Sequence, residues 1–232
     1  MSREVVHAEN FAHEAAAFIL QQARVALAER NEFRIALSGG NTPRPVYAEF
    51  ARIGRDLTWE QVHFTFGDER CLPPDHEESN FRMANESLFL PAAVPEKSII
   101  RMRGEIDPQL AAQEYQDQLE LLATQRGEQI YRHDLILLGL GEDGHTASLF
   151  PGTAALDEKM RRVVANFVPK LNSWRLTFTF PLINQARQIC FLVDANKRAD
   201  VIERVLRGDA ELPASRVGAK NGSVIWIVGN GD

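Results

Sequence analysis

Three strings in the chain hold side chains whose types and spacing could do chemistry. GLGEDGH, residues 139 to 145, sets Asp143 and His145 on either side of Gly144. Imidazole has an ordinary pKa of about 6.5, so a histidine held at a turn can take a proton from water at neutral pH, and a base so placed is worth roughly 10² to 10⁴ in rate. For a lone histidine the commoner role is simply to hydrogen-bond its own turn. SGGNTP, residues 38 to 43, follows an apolar run with Ser38, Gly39 and Gly40, then offers Thr42 as a helix N-cap and Pro43 at the first helical position, where its missing N–H costs nothing. Such a helix start carries about half a positive charge, and the glycines let backbone N–H groups approach a phosphate. An ordinary capped turn explains the string equally well. GDER, residues 67 to 70, gathers Asp68, Glu69 and Arg70. Arg70 suits a carboxylate, a phosphate or a developing oxyanion, and suits a structural ion pair holding the loop as well. Lys197 begins a helix, where a cation is disfavoured unless an anion is near, but Arg198 beside it points to a solvated helix start.

Other chemistries find less support. His7, His13, His63, His76, His133 and His145 show no metal-ligand spacing, and no G-x-S-x-G elbow appears, so neither a metal site nor a serine triad is expected. GLGEDG matches the dinucleotide fingerprint G-x-G-x-x-G. Pro151 and Gly152 follow too soon for a long helix facing a pyrophosphate, and the motif lies late in the chain, so it is set aside. Instead His145 is expected to open a short helical turn. Cys71 and Cys190 are isolated, which fits inert thiols in a reducing compartment.

Something must bring these strings together, and the apolar pattern supplies it. Strand-length apolar runs alternate with amphipathic stretches, the mark of a mostly parallel open sheet with helices on both faces. Helices are expected over residues 10 to 29, 43 to 53, 79 to 90, 107 to 125 and 196 to 206. The expected strands are FRIAL, VHFTF, a short SIIRM, DLILLGL, WRLTFTF, QICFLVD and SVIWIV, with residues 208 to 222 as an extended loop. Polar or glycine-rich clusters follow four of these strands at once: SGGNTP, GDER, GEDGH and DANK. Loops at the carboxyl ends of neighbouring strands line one crevice, which predicts that Ser38, Asp68, Arg70, His145 and Lys197 share a site.

Composition narrows the partners. With 44% hydrophobic and 25% charged residues the chain reads as one globular domain over residues 1 to 232. Its formal net charge of −6, with no basic stripe, argues against nucleic acid. The start MSREVVHAENF has no apolar core of a signal peptide, and no run reaches bilayer-spanning length, so a cytoplasmic protein with no membrane partner is expected. A monomer and a small homo-oligomer are both compatible with this.

Taken together, ALSGGNTP, FTFGDERCLPPDHEESN, LILLGLGEDGHTASLFPG, WRLTFTFPLINQARQICFLV, NKRADVIERVLRG and LPASRV resemble the glucosamine-6-phosphate isomerase/6-phosphogluconolactonase family, in its order, from about residue 35 to residue 217. The resemblance implies a Rossmann-like fold of the glucosamine-6-phosphate deaminase/ribose-5-phosphate isomerase type. It implies hydrolysis of a phosphorylated sugar lactone, 6-phosphogluconolactone, to 6-phosphogluconate in the pentose phosphate pathway, without cofactor. By the same resemblance Ser38, Gly39, Gly40 and Thr42 cradle the 6-phosphate, with Lys197 and Arg175 assisting. His145 is implied as general base, Arg70 as a neighbour of the lactone, and Asp68 and Asp143 as the groups that shape the hydrogen bonds around them.

The chain departs from the family pattern in two places. Arg198 stands where alanine is common, adding bulk and charge near the expected phosphate end, and the C-terminus IWIVGNGD lacks the usual acid and alanines, which leaves the packing of the last strand open. Two rival functions share part of this pattern. A deaminase-type isomerase resembles this chain up to the histidine, but carries a glutamate five residues beyond it, where this chain has Phe150, and a tyrosine where it has Arg70. A non-catalytic sugar-phosphate sensor would need a DNA-binding segment, and none is evident.

Overall fold

A computed structural model of the chain describes residues 3–229, save for the side chains of Arg3 and Lys197. Six strands form the main sheet: β1 (Arg3–Ala8), β2 (Phe33–Leu37), β3 (Val62–Phe66), β5 (Leu135–Leu138), β8 (Gln188–Asp194) and β9 (Ser223–Gly229). Their order is β1-β9-β8-β5-β2-β3 and every pairing is parallel. A second sheet is antiparallel, with β4 (Asp68–Arg70), β7 (Ser173–Phe178) and β6 (Val163–Val168) in the order β4-β7-β6.

The strands bury both faces, which is why they read as continuous apolar runs. Ile35, Leu37, Phe64, Leu137, Leu192 and Ile227 face one core, shared with α1 (Phe11–Arg30), α2 (Pro43–Ile53) and α3 (Asn80–Ala84). The alternate residues Ala36, Ile136, Leu138, Phe191 and Trp226 face the other. That second core is shared with α4 (Pro108–Gln125), α5 (Phe180–Ile183), α6 (Ala199–Leu206) and the inner side of the antiparallel sheet. Trp226 stacks on Phe191 with ring centroids 3.9 Å apart. Burial of two rings of this size contributes about 1.5–3 kcal/mol each, so the last strand is anchored despite its unusual ending. Residues 230–232 of that ending lie outside the described chain.

Local signals account for the helix boundaries. Asn10 caps α1 through a bond from the His13 N–H, and Asn31 ends it in the left-handed conformation at φ 57°. Asp107 caps α4 by accepting from the N–H groups of Gln109 and Leu110, with Pro108 at the first position. Among the described residues no helix is long and apolar enough to cross a membrane.

Five elements differ from the sequence expectation. The opening REVVHA forms β1, an edge strand whose partly polar composition hides it. Residues 163 to 168 form β6, also unforeseen, and WRLTFTF pairs with it rather than joining the main sheet. SIIRM is not a strand; it makes only a bridge between Ile99 and Phe64. The final helix begins at Ala199, after a 3-10 turn over Ala195–Lys197.

Candidate active site

The neighbours β8, β5 and β2 end together, and the segments leaving them wall a cleft of about 350 Å³. It continues past His145 into an adjoining lobe of about 340 Å³ lined by Phe150, Lys170 and Arg175. Ser38, Gly39, Gly40, Thr42, Asp68, Arg70 and His145 all line the first lobe. Asp143 and Arg175 line only the second. Arg175 thus lies in the lobe beside His145 and not among the residues that line the first lobe with the Ser38 turn. The backbone of Lys197 lies in the 3-10 turn that leaves β8; its side chain is outside the described residues.

The Ser38 turn is built differently from its sequence reading. Ser38 is buried, and its N–H donates to the Tyr47 hydroxyl at 2.9 Å, while that hydroxyl donates back to the Ser38 carbonyl at 2.9 Å. The Ser38 N–H is thus committed to α2, and only the residues after it can offer backbone donors to the cleft. Thr42 adopts α-helical angles, φ −59° and ψ −45°, and makes no capping bond. A capping hydroxyl needs an extended backbone to reach back over the first turn, so the expected cap is absent and the Thr42 side chain is left at the cleft wall. Gly40 has φ +94°, which favours glycine. Gly39 serves packing: a Cβ there would lie 1.8 Å from Asn80 Oδ1.

Asn80 in turn holds Asp68. Its side-chain amide donates to the Asp68 carbonyl at 2.9 Å and to Asp68 Oδ1 at 3.1 Å, and Ser148 Oγ donates to Asp68 Oδ2 at 2.6 Å. Glu69, on the opposite side of β4, is buried and caps α3. It accepts N–H bonds from Arg70, Asn80 and Phe81, each at 2.8 Å. Burial still holds its carboxyl above the usual range. Among the described residues Arg70 makes no ion pair; it donates to the Glu78 carbonyl. Arg70 and Arg175 are register partners across β4 and β7. Burial, then the charge of Arg70, lowers the pKa of Arg175. Two facing guanidiniums destabilise each other, and an anion between them removes that cost.

His145 follows β5 in a loop of turns rather than a helical turn, closed by a bond from the Gly141 N–H to the His145 carbonyl at 2.9 Å. Gly144 at φ +75° and Ala147 at φ 46° bend the loop back. No long helix follows, so the glycine string lacks the helix that a dinucleotide site requires. Nδ1 of His145 lies 2.6 Å from Asp143 Oδ1. The imidazole stacks on Phe150 at 3.9 Å, with an interplanar angle of 22°. Lys170, from the turn between β6 and β7, donates to Asp143 Oδ2 at 3.2 Å. Burial alone would raise the Asp143 carboxyl; the bond and charge of His145 and the bond from Lys170 outweigh it and hold the carboxyl below its ordinary value. An ionised Asp143 keeps the proton on Nδ1 and makes Nε2 the basic nitrogen.

Tyr47, Asn80, Ser148 and Lys170 are contributors that sequence reasoning did not find. Asn80 lies inside the quoted string ending HEESN, but nothing in that string shows that its amide reaches Asp68. Among the described residues no three His, Cys, Asp or Glu side chains gather to hold a metal ion.

Residues 6–226 match the family model described as glucosamine-6-phosphate isomerases/6-phosphogluconolactonase. The chain is 41% identical over 207 residues to the 6-phosphogluconolactonase of Synechocystis, covering 88% of this chain and 84% of that protein. It is 34% identical over 199 residues to the 6-phosphogluconolactonase of Haemophilus influenzae, covering 84% and 83%. Among solved structures, the 6-phosphogluconolactonase of Thermotoga maritima superimposes with a TM-score of 0.86 at 28% identity, covering 98% of this chain and 100% of that one. The Trypanosoma brucei enzyme of the same name gives 0.84 at 28% identity, covering 98% and 96%. A parallel sheet with this cleft at its carboxyl edge, matched along nearly its whole length, belongs to the glucosamine-6-phosphate isomerase/6-phosphogluconolactonase family.

Proposed function

We propose that this chain hydrolyses 6-phospho-D-glucono-1,5-lactone to 6-phosphogluconate, the lactone-opening step of the pentose phosphate pathway. The observation that carries the proposal is the Asp143–His145 pair at 2.6 Å, set in a cleft whose other wall is the Ser38–Thr42 turn. The lobe volume suits a small phosphorylated sugar.

In this reading Nε2 of His145 takes a proton from a water that attacks the lactone carbonyl. Asp143 steadies the imidazolium as it forms. Arg70, with nearby backbone N–H groups, stabilises the tetrahedral oxyanion. Collapse breaks the bond from the carbonyl carbon to the ring oxygen, which recovers the proton from His145. Gly39, Gly40, Thr42 and Lys197 hold the 6-phosphate, and Asp68 is kept in place by Asn80 and Ser148. A lactone is an activated ester, so one base with electrostatic support and a remote phosphate handle suffices. The reading takes the chain as one domain acting in the cytoplasm, without cofactor or metal. Phe150 against the imidazole disfavours the isomerase reading, because it leaves Asp143 as the carboxylate that pairs with the ring.

The test is acid release in a pH-stat from freshly oxidised glucose 6-phosphate. The parent should exceed the spontaneous rate by orders of magnitude, and His145→Ala should lose most of that gain. A parent no faster than buffer, or release of ammonia from glucosamine 6-phosphate, would overturn the reading.

A further inference from the structure

We propose that the amino end of the main sheet, at the pole opposite the cleft, holds a second anion site, built on Arg30, Arg132 and Arg187, that takes a small phosphate dianion. The assignment uses no residue of the proposed lactone chemistry.

Parallel pairing sets the starts of β2, β5 and β8 side by side, just as it gathers their ends at the cleft. Two adjoining recesses of about 300 and 340 Å³ open at these starts, and Arg30, Arg132, Asp134 and Arg187 line both. Five arginines against three carboxylates line the larger recess, in a chain whose formal net charge is −6. Part of that positive charge has a structural use. Arg34 pairs with Glu32 and Glu128. Arg126 pairs with Glu32 and bonds the Leu122 carbonyl at the end of α4, where the helix dipole favours a cation.

The excess falls on the other three arginines, which share one buried carboxylate, Asp134. Its Oδ2 accepts the Arg34 backbone N–H at 2.9 Å, and its Oδ1 lies 3.1 Å from both Arg30 Nε and Arg187 Nε. Both Nε atoms are buried, and neither gains the alignment of a hydrogen bond. Arg30 has a further partner in Glu29, at the rim of the smaller recess. Arg132 has no ion-pair partner among the described residues; it donates to the carbonyls of Gln185 at 2.9 Å and Asn221 at 3.1 Å. Burial, then the charge of Arg187, lowers the pKa of Arg132. Guanidiniums crowded in this way repel one another, and a bound dianion removes the repulsion while giving acceptors to unmatched donors. A tetrahedral phosphate offers oxygens to more than one guanidinium fork at a time, whereas a carboxylate fills only one. Since the site lies at the far end of the sheet from His145, occupancy should stabilise the fold by mass action and leave kcat unchanged.

Titration calorimetry with inorganic phosphate follows both ends of the sheet, and inhibition of lactone turnover by phosphate reads the cleft alone. The parent should bind a phosphate that does not compete with the lactone and that raises the melting temperature. Arg132→Gln removes the guanidinium that has no carboxylate partner, and should weaken this phosphate about tenfold or more. Its kcat and competitive inhibition constant should stay within about twofold of the parent's. Arg187→Lys keeps the charge but loses the fork, and should weaken binding about threefold. Glu29→Gln removes a carboxylate from the rim and should tighten it about twofold. Each variant must first show a cooperative melt; Arg132→Lys, with a smaller loss expected, replaces Arg132→Gln if that one misfolds. Phosphate binding that is wholly competitive with the lactone, or an isotherm left unchanged by the Arg132 substitution, overturns the proposal. Phosphate binding that depends on Arg132 in a protein with no lactone turnover would sink the lactonase reading and leave this site standing.

Discussion

Asp143 joins His145 at 2.6 Å through one carboxylate oxygen, and takes the Lys170 ammonium at 3.2 Å on the other. Two residues from two loops thus fix one imidazole. Replacing Asp143 with asparagine removes the negative charge that favours Nδ1–H and the forming imidazolium. Asp143→Asn should lower kcat by on the order of 10²-fold while KM changes little. Steady-state kinetics check this, and a kcat equal to the parent's would remove Asp143 from the mechanism.

Lys170 acts on the pair from a distance, as an exposed partner of Asp143. The Asp143 carboxyl is held below its ordinary value, so its charge is present above that lowered pKa and is lost as pH falls through it. Lys170→Gln withdraws one of the supports, the carboxyl pKa rises, and the acid limb of kcat/KM should move to higher pH. Solvent screening keeps the displacement to about a few tenths of a pH unit, and added salt should mimic it in the parent. A pH profile that coincides with the parent's at low salt counts against the link.

Gly141 meets the imidazole edge-on. A Cβ at this residue would lie 2.0 Å from His145 Nδ1, so Gly141→Ala must push the ring away from Asp143. A shift of about 1 Å at a reacting group can cost on the order of 10² in rate. The expected result is a folded protein with a kcat reduced to that extent, and unchanged turnover would show that the ring is free to move.

Gly39 and Asn80 should be coupled. Gly39→Ala places a Cβ 1.8 Å from Asn80 Oδ1, so it should displace Asn80 and loosen Asp68. In an Asn80→Ala background that contact is gone and the same change should cost less, with a coupling of at least about 0.5 kcal/mol. Denaturant melts of the four variants measure it; additive costs would mean that Asn80 already yields freely.

His133 predicts acid sensitivity. Its ring is enclosed by Tyr131 and Phe178, with Nε2 2.9 Å from Thr65 Oγ1, and burial, then the charge of Arg34, lowers its pKa to about 3. The unfolded chain takes up that proton near pH 6.5, the folded chain only near pH 3. Stability is therefore retained above pH 6.5 and lost as pH falls between these values, by up to about 1.4 kcal/mol per pH unit. His133→Gln should flatten this slope in urea melts between pH 7 and pH 4. An equally steep slope in the variant would assign the acid loss to other groups.

The amino-acid sequence by itself determined the main sheet, because strands buried on both faces must be apolar throughout, and their polar endings mark the carboxyl edge. That is enough to bring Ser38, Asp68, Arg70 and His145 to one crevice, whatever the details of packing. Edge strands β1 and β6 escaped because their mixed residues show no clean alternation, and β7, expected as a strand, has its antiparallel pairing with β6 set only in the packed fold. Only the tertiary structure decided which groups are already committed. Tyr47 takes the Ser38 N–H, Asn80 fills the space at Gly39, and Arg175 lines the second lobe with Lys170. Hydrogen bonds between residues distant in the chain depend on side-chain directions that only the packed fold sets, and no local spacing encodes them.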